Sequence, residues 1–192
     1  MKPRAKVITV FGSSRPRPGE AQYSVAQELG GELARQGFIV CNGGYAGTME
    51  AVSRGAKEAG GRTIGITAQF FKARTNEYID DEVRKKTWQG RLFALIERGD
   101  AFVTCPGGTG TLVELAVVWE MLNKNVISRK PLVVLGEFWH PIIDRVREVE
   151  LGHESKWGEK QDSLIHRAPS PTDAATFLAE YFANSKPPRR VR

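Results

Sequence analysis

Residues 101–122 set a short apolar run, a glycine-rich turn and an apolar helical stretch in direct succession: Ala101-Phe102-Val103-Thr104-Cys105, then Pro106-Gly107-Gly108-Thr109-Gly110-Thr111, then Leu112 to Leu122. A strand that feeds a helix through so tight a turn aims several backbone N–H groups and a positive helix end at one point. Such a point suits an anion, most often a phosphate. Glu114 stands one turn into the helix, and its neighbours Val117, Val118 and Met121 are apolar. A helix apolar nearly all round is buried, and a carboxylate there is costly unless it is paired or used. The pattern Thr111-Leu112-Val113-Glu114 also fits a capping box. That would account for the Thr and the Glu, but not for three glycines or for the apolar setting of Glu114, so a functional carboxylate is the expectation.

The same rhythm runs through the chain. Strands are expected at Val7–Phe11, Phe38–Cys41, Arg62–Thr67, Ala101–Cys105 and Leu132–Leu135, with a weak one near Leu164-Ile165-His166. Helical patterns cover Ala21–Gln36, Met49–Ala59, Glu82–Arg98, Leu112–Leu122, Pro141–Leu151 and Asp173–Ala183. Gly60-Gly61 and Gly152 are stop signals, and Pro141 suits a helix start. Continuous apolar strands alternating with amphipathic helices predict a Rossmann-like three-layer α/β fold, a central parallel sheet with helices on both faces. Ligands of such sheets bind at the carboxyl ends of the strands. Three turns follow strand ends, at 12–14, 42–48 and 107–111, and they are expected to converge on one cleft. The polar stretch 68–81 reads as an excursion over that active face.

A chain of 192 residues suits one such domain, taken here as residues 1–185. Its net charge of +6 suggests nucleic acid until the distribution is inspected. Residues 1–17 carry five Lys/Arg and residues 186–192 carry four, with no acid in either stretch. The remainder holds 19 basic against 22 acidic side chains, so no specific nucleic-acid groove is indicated. Lys186-Pro187-Pro188-Arg189-Arg190-Val191-Arg192 reads as a basic disordered tail. No apolar run approaches a membrane span and no signal peptide is visible. Cys41 and Cys105 offer no disulfide framework, and a reduced cytoplasmic protein is the simplest expectation.

Several chemistries lack their signatures. There is no G-x-x-x-x-G-K-[ST], no G-x-G-x-x-G after the first strand and no Ser-centred nucleophile elbow. His140, His153 and His166 have no metal-ligand spacing with either cysteine, so no metal site is expected. On helix 82–98, Trp88, Leu92, Leu95 and Ile96 form the apolar stripe, with Arg91 on its flank. Spacing alone favours a guanidinium there that snorkels outward or pairs with an acid.

Taken together, these segments resemble the lonely-guy family, whose members were long mislabelled lysine decarboxylases. Pro106 to Glu114 match its P-G-G-x-G-T-x-x-E at every defined position. Arg91 followed by Asp100-Ala101-Phe102, Val10 to Ser14, Gly43-Gly44-Tyr45-Ala46-Gly47-Thr48-Met49 and Lys130-Pro131 match further family segments, over about residues 7–183. The resemblance implies a Rossmann-like homodimer or larger homo-oligomer. It also implies a phosphoribohydrolase that splits a nucleoside 5′-monophosphate into free base and ribose 5-phosphate, as in cytokinin activation, without a cofactor. Carried over by motif, Arg91 and Glu114 are the catalytic pair. Gly107, Gly108, Thr109, Gly110 and Thr111 hold the phosphate, with Gly43, Gly44, Gly47, Thr48, Ser13 and Ser14 completing the nucleotide site. The chain departs from many relatives at Leu92, where a Lys is usual, and at Cys41-Asn42 and Glu50. The alternative is a carrier that binds a nucleotide, or the pterin phosphate of molybdenum cofactor, without hydrolysis. Lysine decarboxylation is rejected, because nothing here presents a cofactor-linked Lys. Helix 112–122 offers more apolar surface than one sheet face covers, which also predicts a dimer.

Overall fold

The computed structural model describes residues 4–151 and 164–184. The expected tail 186–192, His153 and the stop signal Gly152 lie outside the described residues. Among the described residues, seven parallel strands form one sheet: β1 Val7–Phe11, β2 Ile39–Asn42, β3 Thr63–Ala68, β4 Asp81–Lys85, β5 Ala101–Thr104, β6 Leu132–Leu135 and β7 Ile165–Ala168. Their spatial order is β4-β3-β2-β1-β5-β6-β7. Chain direction across the sheet therefore reverses between β1 and β5, and a crevice opens there at the carboxyl ends of the strands.

Among the described residues, six helices cover the sheet: α1 Ala21–Arg35, α2 Thr48–Glu58, α3 Trp88–Arg98, α4 Thr109–Asn123, α5 His140–Leu151 and α6 Pro171–Asn184. Strands β1, β3, β5 and β6 are buried along their whole length, which is why they read as unbroken apolar runs. On one face, Phe11, Phe102, Leu95, Leu115, Val118 and Trp139 form a core beneath α3, α4 and α5. On the other, Ile8, Val10, Leu29, Leu33, Val40 and Leu178 pack beneath α1, α2 and α6. Each such side chain contributes roughly 1.5–3 kcal/mol by leaving water. Helices α1 and α2 approach until backbone meets backbone: a Cβ on Gly30 would collide with the Val52 carbonyl, and one on Gly55 with that of Gln27.

The expected helix Glu82–Arg98 is corrected. Its first part is the edge strand β4, paired in register with β3 from Ile64↔Asp81 to Ala68↔Lys85. Asp81-Glu82-Val83-Arg84-Lys85 carries no apolar period to choose a structure, and the open hydrogen-bonding edge of β3 decides it. Charged residues on an edge strand also block pairing with a further chain. Helix α3 starts after Thr87, whose side chain accepts a hydrogen bond from Gly90 N at 3.0 Å.

The alternative capping box at Thr111–Glu114 does not form. Helix α4 begins at Thr109 with Gly108 as its N-cap and no side-chain cap. Thr111 is buried within the first turn, and Glu114 belongs to the second. The first amides of α4 thus have neither an intrahelical acceptor nor a side-chain one.

Candidate active site

The three turns do converge. A cavity of about 1030 Å³ at the carboxyl ends of β1, β2 and β5 is lined by Gly12, Ser13 and Ser14, by Gly43 and Tyr45, and by Pro106 to Thr111 with Glu114. Ser13 N donates to the Pro106 carbonyl (3.4 Å) and Thr48 N to the Ser13 carbonyl (2.8 Å), which ties the turns together. Gly107, Gly108, Thr109, Gly110 and Thr111 all face the cavity, at the uncapped N-terminus of α4. Backbone N–H groups and a helix dipole of about half a positive charge are therefore available to an anion there.

Gly44, Gly47 and Thr48 do not line the cavity; they shape its wall from behind. Gly44 and Gly47 adopt φ of +77° and +72°, a region that disfavours side chains, and a Cβ on Gly47 would strike the Ser14 backbone. Thr48 is buried against Gly12.

Arg91 does not snorkel outward. It is buried at 8% exposure, and it enters the cavity floor from α3. Its Nε donates to the Ile66 carbonyl at 2.8 Å, and Nη2 lies 3.9 Å from Met49 Sδ. Tyr45 and Phe71 place their rings 5.6 Å from its guanidinium carbon, within cation–π range. Gly43 makes room for it, since a Cβ there would overlap Nη2. The remaining Nη1 stands 3.8 Å from Glu114 Oε1. Burial holds the guanidinium below the usual arginine range, and Glu114 opposes that shift.

Burial pushes the Glu114 carboxyl up to about 7, with Arg91 pulling in the other direction. Desolvation prevails because the pair is too long for a charge-assisted hydrogen bond. A carboxyl poised near neutrality beside a fixed cation suits proton transfer or the stabilisation of positive charge. The thiols have no such role: burial pushes Cys41 and Cys105 each up to about 12. Cys41 and Cys105 are both free. His166 Nε2 meets Asp173 at 3.0 Å and its ring stacks on Phe177, away from the cavity lining.

Sequence reasoning missed several parts of this site. Asn42 is fully buried and organises the second turn: its Nδ2 donates to Ser53 Oγ and its Oδ1 accepts from Gly44 N, both at 2.8 Å. Tyr45, Met49 and Phe71 surround Arg91, although only the excursion as a whole was placed over the cleft. Asn76 fastens that excursion by donating from its N to the Gly44 carbonyl and from its Nδ2 to the Tyr45 carbonyl, both at 2.9 Å. Trp88, expected in the apolar stripe, is 38% exposed and lines the cavity, as does Phe138. An aromatic side chain beside a polar one was the available signal, but periodicity assigned it to packing.

Residues 5–159 match the SLOG cluster4 family. An uncharacterized protein of Archaeoglobus fulgidus is 33% identical over 116 residues, 60% of this chain and 76% of that one. The cytokinin riboside 5′-monophosphate phosphoribohydrolase of Mycobacterium marinum is 32% identical over 138 residues, 68% of this chain and 73% of that enzyme. The molybdenum cofactor binding protein from Rippkaea orientalis superposes with a TM-score of 0.71 at 25% identity, over 93% of this chain and 98% of that one. With its glycine turn, its Arg91–Glu114 pair and the matched span in agreement, the chain belongs to the SLOG cluster4 family, among the lonely-guy-like proteins.

Proposed function

We propose that the protein hydrolyses the N-glycosidic bond of a nucleoside 5′-monophosphate, releasing the base and ribose 5-phosphate. The observation that carries this reading is Glu114, held near neutrality beside Arg91 and one turn behind the open amides of α4. The phosphate sits on Gly107 to Thr111, and that remote binding energy positions the ribose over the pair. As the C1′–N bond breaks, its electron pair leaves with the base and positive charge develops on the ribose. Ionised Glu114 stabilises that charge and takes a proton from the attacking water. Arg91 Nη1, which faces Glu114 at 3.8 Å but makes no hydrogen bond to a described residue, orients the substrate. Kinship with the phosphoribohydrolase of M. marinum supports this assignment.

A second reading, a carrier that binds without hydrolysis, is favoured by the likeness to the molybdenum cofactor binding protein. A product assay over a panel of nucleoside 5′-monophosphates separates the two. Release of base and ribose 5-phosphate that vanishes in Glu114→Gln supports the hydrolase. Tight binding of a nucleotide or pterin phosphate without release supports the carrier.

Self-association belongs to the same reading. Val113 on α4 and Phe93 on α3 are 36% and 46% exposed on the same side of the sheet, and a second copy of the chain is their proposed cover. No described helix is long and apolar enough to cross a membrane.

A further inference from the structure

The cavity holds more positive charge than one phosphate on the glycine turn requires. Arg15, Arg17 and Arg74 line it in addition to Arg91. All three are exposed, and no described carboxylate lies within ion-pair distance of any of them. Six arginines elsewhere, Arg4, Arg35, Arg54, Arg62, Arg145 and Arg167, each reach a carboxylate, while Arg84 and Arg98 share the open state of these three but stand away from the cavity. Glu20, the acid nearest Arg15 and Arg17 in sequence, also lines the cavity, and its Oε2 accepts from the backbone N–H of Arg17 at 2.9 Å; the acid nearest Arg74 is Glu77.

These arginines sit on prepared segments. Arg15-Pro16-Arg17-Pro18 restricts its own backbone at two positions, and Pro16 is buried. The preceding Ser13 is tied to Pro106, so the loop runs beside the phosphate turn. Arg74 comes from the excursion fastened through Asn76 to the second turn. The cavity volume, about 1030 Å³, lies just above the roughly 300–1,000 Å³ of ligand pockets.

We infer that the cleft takes a nucleotide with two anionic groups, one seated on the amides of Gly107 to Thr111 and the second held by Arg15, Arg17 and Arg74. This rests on the cleft being a nucleotide site, and it goes beyond the monophosphate reading by giving the preferred ligand a second phosphate. The second group is a phosphate, either extending the 5′ chain or attached at another position of the nucleoside.

The test titrates AMP, ADP and adenosine 3′,5′-bisphosphate into full-length Glu114→Gln protein, which removes the proposed catalytic carboxylate. The same series is repeated with Arg15→Gln, Arg17→Gln and Arg74→Gln added. ADP or the bisphosphate is expected to bind at least tenfold more tightly than AMP. Preference for ADP locates the second group on the 5′ chain, and preference for the bisphosphate places it elsewhere. The preference should shrink at least fivefold in the triple-arginine background and weaken as salt is raised. Equal affinity for all three ligands, or a preference that survives the arginine substitutions, overturns the inference. Base release by the unsubstituted protein reports separately. Release from AMP without a second-phosphate preference would leave the hydrolase standing alone, and preference without release from any nucleotide would do the reverse.

Discussion

Arg91 Nη1 and Glu114 Oε1 stand 3.8 Å apart on the cavity floor, contributed by helices on either side of β5 in the sequence. The pair is close enough for each charge to feel the other, yet too long to consume the hydrogen-bonding capacity of either. Arg91 is anchored through Nε to Ile66, and the carboxylate accepts no hydrogen bond from a described residue. Both groups therefore keep hydrogen-bonding edges open to the cavity.

The rate should follow the ionisation of Glu114. Its carboxyl is pushed up to about 7, so kcat/KM of the free enzyme rises with pH through that value and then levels off. Glu114→Gln should lower kcat by about 10²–10⁴-fold, as expected for loss of a general base. A flat profile between pH 5 and 9 in the unsubstituted protein would remove Glu114 from proton transfer.

Stability should show the same group with the opposite sign. Between the ordinary value of 4.5 and about 7, the folded protein retains a proton that the unfolded chain has released. The contribution of Glu114 is thus fully present below 4.5 and is lost as pH rises through about 7. The loss is on the order of 3 kcal/mol at most, because relaxation around the partly accessible carboxylate reduces it. Urea midpoints of Glu114→Gln and unsubstituted protein are the readout: from pH 5 to pH 8 the variant should gain on the parent. Parallel midpoints would show that the carboxyl ionises normally.

Gly43→Ala tests the seating of Arg91, because the new methyl must displace Nη2 and crowd Met49 Sδ. The expected result is a fall in kcat of tenfold or more. Arg91→Lys keeps the charge but not the fork that reaches Ile66 and Glu114 together, and it should cost a similar factor. Turnover at the parental rate in either variant would show that the guanidinium position is immaterial.

Gly30→Ala should act on the fold alone. Its methyl meets the Val52 carbonyl where α1 and α2 touch, so the helices must separate. Overpacking of this kind costs about 1–3 kcal/mol. Thermal melting should register the loss, while activity per folded molecule stays near that of the parent. An unchanged melting temperature would mean that the helices separate freely.

Sedimentation at micromolar concentration should show a dimer, and Val113→Glu combined with Phe93→Glu should shift it toward monomer. A monomeric parent would leave those side chains as ordinary surface.

Local patterns account for what was legible in the residues alone. The alternation of apolar runs and amphipathic helices specified the parallel sheet, and the turn at 106–111 located the uncapped end of α4 that opens on the cavity. Both signals arise from neighbours in sequence: strand burial, glycine geometry and the unsatisfied amides of one helix end. Resemblance in short motifs then singled out Arg91 and Glu114.

Tertiary structure decided the rest. Asp81–Lys85 became a strand because β3 offered it an unpaired edge, a fact that no period within those five residues encodes. Arg91 turned inward because Gly43, Ile66, Met49 and Tyr45, all distant in sequence, leave it a slot and a carbonyl. Helix α4 began three residues before the expected Leu112, which put Thr111 inside its first turn and left the first amides open to the cleft. Helical and strand periods depend on adjacent residues, so sequence determined them. The charge and contents of the site depend on which crossovers bring remote segments together, and only the folded chain brings Arg91 to Glu114.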